Sequence, residues 1–151
     1  MEMEIVQVTQ EGHPDFDTWL DLASKLWPGT PIAKLRTDLA GFLQSSQEVG
    51  FLIKDAHGTP LGFINLSLRH EYVPGAIRSP VAYVEGIYVQ AAHRHQGVGS
   101  RLMAHAEHWA RSQGCTQLAS DAYLDNTTSH AFHLKSGFQE VERVVAFIKS
   151  V

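Results

Sequence analysis

Hydrophobic positions recur along the chain at two periods. From Asp15 to Trp27, Phe16, Trp19, Leu20, Leu22, Ala23 and Leu26 follow helical spacing, and Pro28-Gly29 stops the run. From Pro31 to Gln44, Ile32, Leu35, Leu39 and Leu43 predict a second helix, with Pro31 suited to its first turn. Val49 to Lys54 and Leu61 to Leu68 are rich in β-formers, and the turn-rich stretch Asp55 to Pro60 between them predicts an antiparallel hairpin. Val81 to Val89 reads as another strand, after a short strand around Ile5, Val6 and Val8. Val98, Leu102, Ala106 and Trp109 mark one face of a helix that ends at Ser112-Gln113-Gly114. Thr116 to Ala119 predicts a strand, Asn126 to Lys135 a short helix, and Phe138 to Val151 one or two closing strands. His70 to Pro80, with Tyr72, Pro74 and Gly75, reads as an ordered loop over one mouth of the fold. The order β, α, α, β, β, β, α, β, α, β predicts an α/β (α+β) fold, a mixed sheet with helices on its faces.

Composition narrows the function classes. A chain of 151 residues without repeats or low-complexity linkers predicts a single domain spanning 1–151. A formal charge of -4 offers no basic surface to a phosphate backbone, which argues against a nucleic-acid partner. The acidic start Met1-Glu2-Met3-Glu4-Ile5 resembles no secretory signal, and no apolar run approaches a membrane span, so the expectation is a cytoplasmic protein without a membrane partner. A lone cysteine, Cys115, excludes an internal disulfide and reads as a buried thiol. The His105/His108 and His130/His133 pairs lack a convergent third ligand, so no metal site is expected.

The chemistry sits after the Val81–Val89 strand. Arg94-His95-Gln96-Gly97-Val98-Gly99 precedes a helix; its glycines allow close main-chain approach, and N–H groups at a helix start bind phosphate oxygens. This segment resembles motif A of the GNAT acetyltransferases, and Asn126, a short helix and Gly137-Phe138 resemble motif B. The resemblance implies a GNAT fold with a mostly antiparallel central sheet, splayed central strands and about four flanking helices. It also implies that acetyl-CoA is the cosubstrate, with its pantetheine arm along Ile87, Tyr88 and Val89. The pyrophosphate would lie on residues 95 to 100, that is His95, Gln96, Gly97, Val98, Gly99 and Ser100, beside Arg94, and Asn126 would be a coenzyme A contact. The family usually places a tyrosine five residues before the Phe of Gly-Phe, where it protonates the departing thiolate. This chain has His133 there, and histidine is an alternative acid.

Further segments, Leu26-Trp27-Pro28, Tyr83 to Val89, Ala119 to Ala122, Asp125-Asn126 and Glu140 to Arg143, resemble the aminoglycoside 6'-N-acetyltransferases over almost the whole chain. Position by position, this implies that Trp27, Tyr72, Glu85, Asp121 and Glu142 contact an aminoglycoside, and it implies a homodimer. Carboxylates would bind ammonium groups and aromatic rings would cover sugar faces. Glu85 would accept the amine proton, directly or through water, and a main-chain N–H near Val89 would polarise the thioester. A GNAT enzyme for another small amine, polyamine or protein N-terminus, and a non-catalytic acyl-CoA sensor, stay open at this point.

Overall fold

The computed structural model describes residues 1–151. Five strands form one sheet in the order β1-β2-β3-β4-β5, with β1 at Met3–Gln7, β2 at Glu48–Asp55, β3 at Pro60–Arg69, β4 at Val81–Val89 and β5 at Leu118–Ala119. The first four strands pair antiparallel, whereas β4 and β5 run parallel. Helices α1 (Pro14–Leu26) and α2 (Ile32–Gln44) cover one face; α3 (Val98–Ser112) covers the other, and α4 (Thr127–Lys135) follows β5. No helix is long and apolar enough to cross a membrane.

Alternation along the central strands supplies two cores. Leu52 and Phe63 point to Phe16, Trp19, Leu22 and Leu35 of α1 and α2. Phe51, Ile53, Ile64 and Leu66 pack on Val98, Leu102, Met103 and Ala106 of α3. Trp19 also needs a polar partner, and its buried indole N–H donates to Asn65 Oδ1 at 2.8 Å. α1 begins at Pro14 with His13 Nδ1 accepting from Asp15 N, and α4 begins behind Asn126, whose side chain accepts from Ser129 N.

Two departures from regularity shape the site. Between β3 and β4, Asn65 faces Gly86 and Leu66 faces Val84, so Glu85 is an extra, unpaired residue on β4. A bulge of this kind re-aims a side chain out of the sheet's alternation. Between β4 and β5, pairing is limited to Ala82 with Leu118 and Tyr83 with Ala119, after which the strands part.

The predicted strand at Thr116 to Ala119 shrinks to Leu118–Ala119, because Thr116 and Gln117, ahead of the two pairs, have no pairing partner on β4. The expected closing strands from Phe138 to Val151 do not form. Residues 139–151 carry no regular structure, and Val144, Val145, Phe147 and Ile148 lie exposed. The β-rich composition is there, but this chain offers the segment no strand edge that it pairs with.

Candidate active site

The turn after β4 is a cradle of free amides. Ala91–His93 makes one 3-10 turn, and His95 (φ 61) and Gly97 (φ 82) then take left-handed conformations, with Gly97 capping α3. A helix cannot satisfy its own first N–H groups, and the left-handed residues turn the preceding ones outward. None of the main-chain N–H groups of residues 95 to 100 has a main-chain or side-chain acceptor within the protein; the next, Arg101 N, bonds Gly97 O at 3.1 Å. With the dipole of α3 behind them, these amides fit a diphosphate. Arg94 folds back instead, its Nε donating to the Val89 carbonyl at 2.9 Å. Gly99 is required by packing as well, because a Cβ there would meet the Phe132 ring at 2.9 Å.

The bulge brings Glu85 to the floor of a cleft of about 970 Å³ between α2 and the β2-β3-β4 surface, lined also by Trp27, Asp38, Glu48, Ser67 and Glu71. Ser67 Oγ donates to Glu85 Oε1 at 2.6 Å, and Arg69 grips the carboxylate with Nε on Oε1 and Nη2 on Oε2, both at 2.8 Å. The Arg69 guanidinium lies 3.4 Å from the centroid of the Tyr83 ring, and the Tyr83 hydroxyl donates to Asp121 Oδ2 at 2.5 Å. Burial, then the Asp121 hydrogen bond, pushes the Tyr83 phenol well above its ordinary range, so it stays a donor. The Glu85 hydrogen bond and charge raise the Arg69 guanidinium further. In the cleft Asp38 is paired with Lys34 and Glu85 with Arg69, while Glu48 and Glu71 carry no ion pair. The surplus charge is negative, which suits a cationic ligand.

Past the last β4-β5 pair, His133 of α4 meets Ser120. Its Nδ1 lies 2.7 Å from the Ser129 carbonyl and its Nε2 2.8 Å from Ser120 Oγ. A carbonyl only accepts, so Nδ1 carries a hydrogen, and in the neutral ring Nε2 accepts from Ser120. Phe138 stands edge-on to the ring at 5.1 Å.

The sequence profile of the Acetyltransferase (GNAT) family matches residues 13–138. The chain belongs to the GNAT family. It is 38% identical over 139 residues to the aminoglycoside N(6')-acetyltransferase type 1 of Serratia marcescens, covering 92% of this chain and 95% of that one. It is 42% identical over 133 residues to that of Acinetobacter haemolyticus, covering 88% and 90%. The solved complex of AAC(6')-Iy with the bisubstrate analogue CoA-S-monomethyl-acetylneamine superposes with a TM-score of 0.92 at 35% identity over 100% of both chains.

Within this GNAT fold the structure brings some expected residues together and leaves others apart. Trp27 and Glu85 share the cleft, and a Cβ on Gly86 would meet the Trp27 ring at 2.6 Å, so Gly86 seats that ring. Asp121 joins through Tyr83. The Ile87, Tyr88 and Val89 segment pairs with β3 on one side and diverges from β5 on the other. Tyr72, by contrast, is 83% exposed on the loop after β3, and Glu142 lies exposed in the tail; neither lines the cleft. Asn126 uses its Oδ1 to cap α4. Sequence reasoning missed Ser67, Arg69, Tyr83 and Ser120. Ser67 and Arg69 are two apart on β3, the period that shares a sheet face, and Ser67 faces Tyr83 in register; that alternation was the available signal for them.

Proposed function

We propose that the protein is an aminoglycoside 6'-N-acetyltransferase, moving acetyl from acetyl-CoA directly to the 6'-amine and so conferring resistance to these antibiotics. The observation that carries this reading is a carboxylate-rich cleft around Glu85 that lies next to the point where β4 and β5 part, with six free amides at the far end of β4. Residues 95 to 100 hold the pyrophosphate, and the unpaired side of Ile87, Tyr88 and Val89 takes the pantetheine as an added strand. Glu85, Asp121, Trp27, Glu48 and Glu71 receive the polycation. The relative's bisubstrate complex, which joins CoA to an acetylated neamine, supports the pairing of these two ligands.

Glu85 orients the amine through the lone pair that Ser67 and Arg69 leave on Oε2. To accept a proton it works in the presence of Arg69, so we assign it the binding of the reacting amine and, through water, its deprotonation. His133, at the family's acid position, serves the protonation of the leaving sulfur. Tyr72 and Glu142 reach an acceptor only if the loop or tail is carried to a cleft, and a homodimer supports that: the apolar residues exposed from Val141 to Ile148 lie on a tail with no partner strand in its own chain. A cytoplasmic setting, where acetyl-CoA is made, completes the reading.

The decisive experiment measures coenzyme A release across aminoglycosides with and without a 6'-amine. Turnover confined to compounds bearing the 6'-amine is expected. Equal turnover with 6'-hydroxy compounds, or turnover with polyamines alone, overturns the assignment.

A further inference from the structure

We infer that Ser120 is a catalytic residue of the transfer: its hydroxyl carries the amine's proton to the departing sulfur, and His133 acts through it as a positioning and relay group. The inference rests on the acetyl transfer proposed above.

Place comes first. Ser120 is the first residue after the last β4-β5 pair, Tyr83 with Ala119, so it stands where the two strands begin to part. Its neighbour Asp121 is bonded to Tyr83, two residues before Glu85. Ser120 is half-buried and so is shielded from bulk water without being sealed. From Leu118 to Ala122, the stretch that brings the chain to this opening, Ser120 is the one hydroxyl.

His133 has both ring nitrogens committed, Nδ1 to the Ser129 carbonyl at 2.7 Å and Nε2 to Ser120 Oγ at 2.8 Å. Phe132 and Phe138 stand edge-on to it, with centroids 5.8 and 5.1 Å away. A proton reaching or leaving Nε2 therefore passes through the Ser120 hydroxyl. The Ser129 carbonyl fixes the tautomer and stabilises the ring when it becomes charged, the part an orienting acceptor plays beside any catalytic histidine.

The step balances. The amine, having shed its ammonium proton to solvent through the water at Glu85, attacks the thioester carbonyl; a C–N bond forms and the carbonyl π pair moves to oxygen. The N–H proton then passes to Ser120 Oγ as the Ser120 proton passes to His133 Nε2. When the carbonyl reforms, the C–S pair leaves on sulfur. Sulfur takes the Ser120 proton and Nε2 returns its own to Oγ. One proton has moved from nitrogen to sulfur, nothing is oxidised or reduced, and Ser120 and His133 end as they began. Serine here is a carrier and not a nucleophile, so no acetyl-serine forms.

The test compares wild type, Ser120→Ala, Ser120→Thr, His133→Gln and the double variant Ser120→Ala/His133→Gln, by coenzyme A release, with acetyl-CoA affinity from calorimetry as the folding check. Ser120→Ala and His133→Gln should each lower kcat by ~10²-fold, the lower end for general acid–base catalysis, with both KM values within about twofold of wild type. The double variant should be no slower than either single one, since the two groups work in series, and Ser120→Thr should recover part of the loss. The wild-type proton inventory should bow, with two protons moving together, and become linear in Ser120→Ala. Wild-type kcat in Ser120→Ala, multiplying losses in the double variant, or an acetylated Ser120 found by mass spectrometry overturns the proposal. If wild type turns over only another amine, the aminoglycoside reading fails, and the same comparison with that amine still decides the role of Ser120.

Discussion

Gly97 and Gly99 look alike in the sequence and differ in what they do. Gly97 holds a left-handed conformation in open space, so Gly97→Val strains the backbone by ~1–3 kcal/mol and disturbs the amide cradle directly. We predict acetyl-CoA affinity falling at least tenfold in calorimetry while the cores of the sheet stay folded by circular dichroism. Gly99→Asp instead drives an atom into Phe132 and should lower the melting temperature as well. Asp121 carries the acceptor side. Its residue is exposed and one oxygen is already held by Tyr83, so the loss on Asp121→Asn is set at about tenfold in acceptor KM, or ~1.4 kcal/mol. Acetyl-CoA KM should not change, and added salt should narrow the gap between wild type and variant, because screening removes the same attraction. Glu85 was legible as a carboxylate near a strand end, whereas its clamp needed the strand pairing: Ser67 and Arg69 share a face of β3, and only the register with β4 sets that face beside Glu85.

At the scale of elements, periodicity carried the reading wherever an element faces a core. The helices over Asp15 to Trp27 and Pro31 to Gln44, the hairpin, and the Val81–Val89 strand fall within one or two residues of α1, α2, β2-β3 and β4. What stayed hidden was pairing: the early parting of β4 and β5 and the unpaired tail depend on neighbours, which a local pattern does not encode. α3 shows an effect of packing that has a pH signature. His105 stacks edge-on over Phe51 at 4.4 Å, and burial, followed by the charge of His108, lowers its pKa from 6.5. The unfolded chain then takes up a proton near 6.5 while the folded chain resists until a lower pH, so this histidine's contribution is intact above 6.5 and is lost as pH falls below it. His105→Leu should therefore flatten the acid side of the stability curve; urea melts at pH 7.5 and 5.5 measure it, and an unchanged slope would refute the role.

For the whole molecule, the tail decides the assembly. If a second copy covers residues 139–151, the full chain should scatter light as a particle of about twice 16.7 kDa, and Phe147→Asp/Ile148→Asp should halve that mass. A monomeric wild type would remove the dimer and leave Tyr72 and Glu142 outside the acceptor site. The bulge at Glu85 has a further consequence for the gene. An in-frame deletion of that one codon would let β4 run in unbroken register against β3, completing a rung of the sheet while erasing the carboxylate that faces the cleft. Such an allele should yield a well-folded protein without the proposed transferase activity, so selection for that activity has to keep a defect in the sheet that selection for stability alone would repair.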